Sequence, residues 1–199
     1  YIPSAMNVLL VGSSSDMKYI RLALATRAQS DSSLLTLTTI SSDRLTTAHI
    51  NSADVIVLAD IRGLSSSHLE RVRSVVEKGT GLMVFPGSST TPQNAGPLLA
   101  LRLPNMVSVE GDPKALSFLE FDKTDMRHPL FAGMFDEQNE QGRTRSGSAK
   151  QKAIESPKVR VFVRYAASPV GQPVITLTNG APFLLEQKVG GGKVLLFAV

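Results

Sequence analysis

The first hundred residues of the chain contain four short apolar runs. They are Asn7–Ser13, Leu34–Ile40, Asp54–Ile61 and Leu82–Phe85. Their lengths suit β-strands, and three of them are almost continuously apolar, as strands buried on both faces of a sheet are. Leu34–Ile40 alternates and is rich in Thr, which predicts a strand near the edge of the sheet.

Two segments between these runs have apolar residues at helical spacing. The apolar positions are Met17, Ile20 and Leu24 in the first segment and Leu69, Val72 and Val76 in the second. Residues 13–16 offer caps for the first helix, and Ser67 with Glu70 forms a capping box ahead of the second. Gly79 and Gly81 end the second helix. The order strand, helix, strand, strand, helix, strand predicts a parallel sheet covered by helices.

The pattern changes after residue 104, where short strands follow one another without a helix of good length between them. The candidates are Val107–Val109, Phe118–Phe121, Val159–Tyr165, Val174–Leu177, Phe183–Val189 and Lys193–Phe197. They predict an antiparallel extension of the same sheet or a small β subdomain on it. Gln138–Lys152 has no apolar residue larger than Ala and predicts a mobile loop. We therefore expect one α/β domain over residues 1–199, flavodoxin-like or amidotransferase-like, with a parallel half at 1–104 and a β-rich half at 105–199.

The tail NGAPFLLEQKVGGGKVLLFAV predicts a β-hairpin. Two apolar runs, Pro182–Val189 and Lys193–Val199, flank a triple glycine. The second run stops without a turn, a cap or a polar tail. Because a domain rarely ends on an unshielded hydrophobic strand, we expect the chain to be a piece of a longer protein.

Composition removes several kinds of chemistry. The chain has no Cys, which excludes disulfides, thiolate metal sites and a cysteine nucleophile. Its net charge of +4 is modest, and the excess is concentrated in one stretch. The basic residues there are Arg143, Arg145, Lys150, Lys152, Lys158 and Arg160. No aromatic residue stands among them, so we expect a solvated loop and no nucleic acid, although an acidic partner or lipid headgroups could use the patch.

Two Ser-rich turns fall where the carboxyl ends of parallel strands are expected, and open α/β sheets bind ligands at that edge. Their polar residues are Ser13, Ser14, Ser15, Ser88, Ser89 and Thr90. Backbone N–H groups, hydroxyls and a helix start could bind an anion or a sugar there. Ordinary turn and cap chemistry uses the same residue types and is the simpler interpretation. Neither turn has the glycine spacing of a phosphate or dinucleotide site, so we expect no cofactor.

The sequences of these turns also invite comparison with a metal site and with the nucleophile of a serine hydrolase. The string Gly12–Met17 resembles the D-x-S-x-S-M metal site of von Willebrand A domains, but Gly12 replaces the Asp that binds the cation, so we expect no metal. Ser88 could serve as a hydrolase nucleophile, yet Thr90 stands where G-x-S-x-G requires its second Gly. The available bases would be His49, His68 or His128, and we expect His128, ahead of Pro129, to hold a loop in place.

Several segments together resemble a known group of domains: NVLLVGSSSDMKYIRLAL, ADVIVLADIRGLSSSHLERVRSVVEKGTGLMVFPG, RHPLFAGMF and NGAPFLLEQKVGGGKVLLFAV. The chain is similar to the class I glutamine amidotransferase-like domains of bacterial membrane proteins of the aerotolerance (Bat-like) type. More distantly it resembles trehalose-utilisation-type domains, which share the HPLF-like segment. The first resemblance implies an amidotransferase-like fold in a protein anchored by flanking transmembrane helices.

The resemblance also implies an activity that the residues contradict. True amidotransferases carry a Cys on the elbow after the strand that matches Leu82–Phe85, and this chain has none. They also use a His-Pro-Glu motif, and here Leu130 follows His128 and Pro129 in place of the Glu. Without the nucleophile and the acid that orients the imidazole, glutaminase chemistry is lost.

We therefore expect a non-catalytic binding or scaffolding domain of a membrane-anchored bacterial protein, located outside the cytoplasm, in the periplasm. Its partner would be another protein or neighbouring domains of the same protein. One alternative is a sensor that binds an anion or a sugar at the two Ser-rich turns, with His128 as a further ligand-binding candidate. The other is a cryptic serine hydrolase that uses Ser88.

Overall fold

One eight-stranded sheet dominates the computed structural model, which describes residues 5–28, 35–132 and 156–199. Ten strands are present in these residues: β1 Met6–Val11, β2 Leu35–Ile40, β3 Val55–Leu58, β4 Gly81–Val84, β5 Met106–Gly111, β6 Phe121–Thr124, β7 Val161–Tyr165, β8 Gly171–Leu177, β9 Pro182–Val189 and β10 Gly192–Phe197. The helices are α1 Met17–Ala28, α2 Thr47–Asn51, α3 Ser66–Glu77 and α4 Gly96–Ala100. Short 3₁₀ turns span Ser42–Arg44 and Pro129–Phe131.

The sheet has a parallel part and an antiparallel part, in the order β2-β1-β3-β4-β10-β9-β8-β6. β2, β1, β3, β4 and β10 run parallel to their neighbours, whereas β9, β8 and β6 pair antiparallel. The predicted fold class, a parallel sheet with flanking helices and an antiparallel extension, is therefore confirmed. β2 lies at the edge of the sheet, as its Thr-rich alternation predicts.

Helices cover the two faces of the parallel part unequally. Leu9, Val11 and Leu58 belong to the main core, to which α3 contributes Leu69 and Val72. On the other face α1 packs across the strands through a smaller cluster made of Val8, Leu10, Met17, Val57 and Ala59. The strands alternate between these clusters because successive side chains point to opposite faces.

The strand β10 is shielded by the sheet, although its sequence alone suggests an unshielded apolar strand. The hairpin forms as predicted, but β10 lies between β4 and β9 in the middle of the sheet. Val194, Leu196 and Ala198 are fully buried there. The apolar character of β10 reflects pairing on both sides, which the sequence of the hairpin alone does not show.

β5 and β7 form a separate two-stranded antiparallel sheet that packs on the main core. Phe162 and Tyr165 are buried, and the Tyr165 hydroxyl donates to the Phe197 carbonyl at 2.6 Å. Burial raises the pKa of Tyr165 far above its ordinary value, so this phenol stays protonated. Both predicted arrangements of the β-rich half therefore occur: an extension of the main sheet and a small sheet beside it.

Two helix starts differ from the predicted ones. Ser65, and not Ser67, caps α3 by accepting from the His68 backbone N–H at 3.2 Å. Three serines in a row offer three possible caps, and the sequence alone does not fix the one whose backbone is extended. His49, placed by sequence in a polar connection, lies in the short helix α2 and forms a reciprocal capping box with Thr46.

The loop predicted at Gln138–Lys152 lies outside the described residues. None of the helices that the structure describes is both long and apolar enough to cross a lipid bilayer.

Candidate functional site

The candidate site lies at the carboxyl edge of the parallel strands. From β1 the chain passes to β2 on one side, and then returns to β3 on the other side of β1. This reversal leaves a crevice outside the carboxyl ends of β1 and β3, where open α/β sheets bind their ligands. Three turns meet there, at residues 12–16 after β1, 59–62 after β3 and 85–90 after β4.

The first turn is organised around Ser13. Its hydroxyl donates to Asp16 Oδ2 at 2.6 Å and accepts from the Asp16 backbone N–H at 3.2 Å. The Ser13 and Ser15 hydroxyls lie 2.9 Å apart. Ser14 and Ser15 are exposed, so their hydroxyls face solvent at the start of α1. Ser13 therefore acts as the cap that the sequence predicts, and Ser14 and Ser15 remain available to a ligand.

Asp16 joins the first turn to the turn after β4. The Ser88 backbone N–H donates to Asp16 Oδ1 at 3.4 Å, across 72 residues of sequence. Ser88 and Ser89 are exposed beside this contact. The structure thus brings the two predicted Ser-rich turns together. We call Ser13–Asp16 with Ser88 and Ser89 the serine-turn site.

The ionisation of Asp16 is set by its neighbours. Partial burial by itself raises the pKa of this carboxyl, but hydrogen bonds from Ser13 and Ser88 and the positive charge of Arg62 outweigh it and lower the pKa below its ordinary value. Asp16 is therefore a carboxylate at neutral pH. It places a fixed negative charge between the two turns.

An ion pair between the buried Asp60 and the exposed Arg62 lies next to the serine-turn site. Asp60, which follows β3 and is 7% exposed, accepts from Arg62 Nε at 3.1 Å and from a terminal guanidinium nitrogen at 2.8 Å. The Arg62 backbone N–H also donates to Asp60 at 3.0 Å. Gly87 packs on this carboxylate with φ +95°, and a Cβ there would lie 3.1 Å from Asp60 Cγ. The Asp60 carboxylate, held by Arg62, therefore packs directly against Gly87 in the turn after β4.

Thr90 stabilises the turn after β4 and is not exposed to a ligand. It is buried, its hydroxyl donates to the Pro86 carbonyl, and its N–H donates to Gly87 O at 3.1 Å. These bonds close the turn that presents Ser88 and Ser89. The side chain of Thr90 is consequently turned into the protein, away from the place where its neighbours meet solvent.

His128 does not join the serine-turn site. It lines a groove together with Gly81 and Met83 of β4, whereas Ser88 lies in the turn after the carboxyl end of that strand. Its Nδ1 accepts from the Leu130 N–H at 3.2 Å, so it holds a turn as the sequence predicts. His49 and His68 sit in the first turns of α2 and α3. Among the described residues, none of the three imidazoles hydrogen-bonds to Ser88, and no group of three or more His, Asp and Glu could hold a metal ion.

Sequence reasoning found the serines and missed the ionic groups between them. Asp60 and Arg62 directly follow the buried strand β3, at the carboxyl edge of the sheet. A charged residue at that point is a signal for a site, because ligands bind at this edge. The contact of Asp16 with Ser88 could not be predicted, because it depends on strand order. β1 and β4 lie on either side of β3, and both end at the same edge of the sheet.

This architecture defines an α/β protein with an amidotransferase-like fold, and solved structures share it. A cytoplasmic protein from Salmonella typhimurium LT2 is 16% identical with a TM-score of 0.67, over 97% of this chain and 87% of that one. A ThuA-like protein from Bacteroides uniformis is 10% identical with a TM-score of 0.65, over 99% of this chain and 82% of that one. A β-galactosidase from Bacillus circulans sp. alkalophilus is 12% identical with a TM-score of 0.56, over 98% of this chain and 28% of that one.

These likenesses establish the fold, and the ThuA-like neighbour agrees with the distant resemblance to trehalose-utilisation-type domains. No protein-family model matches the chain, and no curated protein matches it. The expected membrane-associated, periplasmic location is wrong by this comparison, because two neighbours in fold are named as cytoplasmic proteins.

Proposed function

We propose that the chain is a non-catalytic binding domain that takes a polyhydroxylated small molecule, such as a sugar, at the serine-turn site. One observation carries the proposal: two Ser-rich turns, 72 residues apart in sequence, meet at the crevice through the contact between Asp16 and Ser88. The exposed hydroxyls of Ser14, Ser15, Ser88 and Ser89 can each donate and accept a hydrogen bond. The domain would act by binding, alone or beside neighbouring domains or a protein partner.

The charges at the site favour a neutral polyol over an anion. Asp16 and Asp60 are acidic, and the single guanidinium of Arg62 is engaged by Asp60. The carboxylate of Asp16 already lies at the start of α1, the place where an anion would interact with the helix dipole. A second negative charge would be repelled there, whereas a sugar hydroxyl can donate to Asp16.

The neighbours in fold supply a second, weaker support. They include a β-galactosidase and an exo-β-1,4-mannosidase from Opitutaceae bacterium strain TAV5, in which the matching part is 28% and 31% of the chain. They also include a ThuA-like protein. This fold therefore occurs repeatedly beside carbohydrate chemistry. The resemblance to aerotolerance-type domains stays a prediction.

Isothermal titration of the full chain with galactose, mannose and trehalose tests the proposal, with inorganic phosphate as the anion probe. At least one sugar should bind and phosphate should not. Ser14→Ala and Ser88→Ala should each weaken sugar binding by about three- to tenfold, the effect of one lost hydroxyl hydrogen bond. Ser117→Ala, which removes an exposed hydroxyl elsewhere, should change nothing.

Two results would contradict this function. Phosphate binding that Ser88→Ala weakens would make the site an anion sensor. Covalent labelling of Ser88 by a fluorophosphonate probe, lost in Ser88→Ala, would replace a binding domain with a serine hydrolase.

A further inference from the structure

A second concave site lies on the face of the sheet that carries α1. It is a groove of about 360 Å³, with a floor made of Val55, Met83 and Leu195 from three neighbouring strands. Pro129 and Leu130 of the 3₁₀ turn form a wall. All three floor residues are only partly buried, so an apolar surface faces the groove. A volume of this size, mostly apolar with a few polar groups, is typical of a small-molecule site.

Three polar side chains converge at one end of this groove. Glu186 lies opposite Leu195 in the pairing of β9 and β10, and Lys193 is two residues before Leu195 on the same face. Lys193 Nζ lies 3.3 Å from Glu186 Oε1, and His128 Nε2 lies 3.1 Å from Glu186 Oε2. The Glu186 carboxylate is thus held between a lysine on the sheet and a histidine on the wall.

His128 positions this carboxylate. Its Nδ1 accepts the Leu130 N–H, so the ring proton is on Nε2 and is donated to Glu186. Both ring nitrogens are therefore occupied, and the ring, 12% exposed, has a fixed orientation. One carboxylate oxygen of Glu186 is restrained in this way, while the side chain keeps 19% of its surface exposed toward the groove.

The charges of the Lys193–Glu186 ion pair sum to zero. Lys193 is 58% exposed and directs one of its three N–H donors to Glu186, which leaves the other two without a partner among the described residues. The Glu186 carboxylate also lines the groove. A ligand that matches this pair carries an ammonium for Glu186 and a carboxylate for Lys193, a few ångströms apart. The floor of Val55, Met83 and Leu195 requires an apolar body attached to those groups.

We propose that this groove binds an α-amino acid with an apolar side chain. The ammonium contacts Glu186, the carboxylate contacts Lys193, and the side chain lies on the floor. The site is separate from the serine-turn site, because it lies along β4 itself and none of Ser13–Asp16, Ser88 and Ser89 lines it. His128 is a positioning residue for Glu186.

Calorimetric titration of the full chain with L-leucine tests this inference. Three analogues each lack one matched feature: isocaproate has no ammonium, isopentylamine has no carboxylate, and glycine has no apolar side chain. Each should bind about tenfold or more weakly than L-leucine, because each leaves one complementary group unmatched. The methyl NMR signals of Leu130 and Leu195 should shift on adding L-leucine. Absence of L-leucine binding, or equal binding of all four compounds, would refute the inference.

Substitutions locate the effect and separate it from the serine-turn site. Lys193→Gln and Glu186→Gln should each weaken L-leucine binding about tenfold or more. Lys193→Arg keeps the charge and should keep binding, and Lys114→Gln is the matched control on an exposed loop. Ser88→Ala should leave L-leucine binding unchanged, whatever it does to sugars. Binding that persists in both Gln variants, or that Ser88→Ala removes, would overturn the assignment.

Discussion

Asp16 links two turns that are far apart in sequence, so its ionisation affects the stability of the fold. Its pKa in the folded protein lies below the ordinary value near 3.8. A carboxyl with a lowered folded pKa stabilises the protein above its unfolded pKa, and this contribution is lost as the pH falls through the folded pKa. Asp16→Asn should therefore lower the free energy of unfolding by about 1 kcal/mol at pH 7.

Urea unfolding at pH 7 and at about pH 2.5 checks this prediction, since the difference between wild type and Asp16→Asn should shrink at the lower pH. Asp122→Asn serves as the control because Asp122 is an exposed carboxylate on β6. A difference that stays constant over this pH range would show that the charge of Asp16 contributes nothing to folding.

Gly87 is the second residue on which the site depends. Its φ of +95° and the 3.1 Å between a Cβ and Asp60 Cγ leave no room for a side chain. Gly87→Ala should destabilise the protein by about 1–3 kcal/mol, because it combines backbone strain with a displaced ion pair. Gly96→Ala is the matched control, since Gly96 begins α4 with nothing within 4 Å of its Cβ and no positive φ. Equal thermal unfolding of the two variants would count against a constraint at Gly87.

At the residue scale the sequence predicts two local roles correctly, but it does not predict the contacts between elements. Ser13 and the loop-holding role of His128 follow from neighbouring residues, so local patterns are enough to predict them. The contact of Asp16 with Ser88 and that of His128 with Glu186 join residues on different elements. Contacts of this kind depend on strand order and register, which no local pattern contains.

Among the elements, the β9–β10 hairpin packs closely against α3. The turn of the hairpin packs against the end of α3, where the Gly191 N–H donates to the Glu77 carbonyl at 2.8 Å. This bond satisfies one of the carbonyls that a helix end leaves unpaired. A Cβ on Gly192 would lie 2.2 Å from the Val76 carbonyl oxygen and 2.6 Å from that of Thr80. Only glycine fits between these backbones.

Gly192→Ala should accordingly cost about 2–3 kcal/mol of folding free energy, since the hairpin must move away from α3. A chemical denaturation curve gives the value. Gly171→Ala offers the comparison, because a Cβ there meets its neighbours at ordinary distances of 3.6 Å or more, and it should be close to neutral. If the two substitutions cost the same, the close packing at Gly192 is not what holds the hairpin.

Most elements were predictable because their patterns are strong. The buried strands of the parallel half, the helix with Leu69, Val72 and Val76, and the C-terminal hairpin all form. The short helix α2 was missed, since five residues are too few to establish a helical period. The exact start of α3 was missed because three consecutive serines are equivalent as caps.

For the molecule as a whole, strand order predicts a gradient of local stability. Six strands of the main sheet have a neighbour on each side, namely β1, β3, β4, β10, β9 and β8, whereas β2 and β6 lie at the edges. Amide hydrogen exchange should therefore be slowest in the six inner strands and fastest at the edges, where opening disturbs fewer contacts. Exchange in β10 as fast as in β6 would contradict its central place in the sheet.

The global strand order is the part of the fold that sequence reasoning could not reach. A hairpin of two apolar runs indicates that β9 and β10 pair, but it does not say which other strand β10 meets. The pairing of Leu82 with Val194 joins segments more than a hundred residues apart. The same limit applies to both candidate sites, because each is formed by strands or turns that are far apart in the sequence.

The central position of β10 has a consequence for synthesis. While the chain is being made from its N-terminus, β4 is translated long before the strand that will pair with its open side. Until then β4 exposes unpaired backbone and apolar side chains, a state that invites association with other chains. We expect nascent or truncated chains that lack the hairpin to require chaperones, and chains that contain it to lose that requirement when β10 enters the sheet.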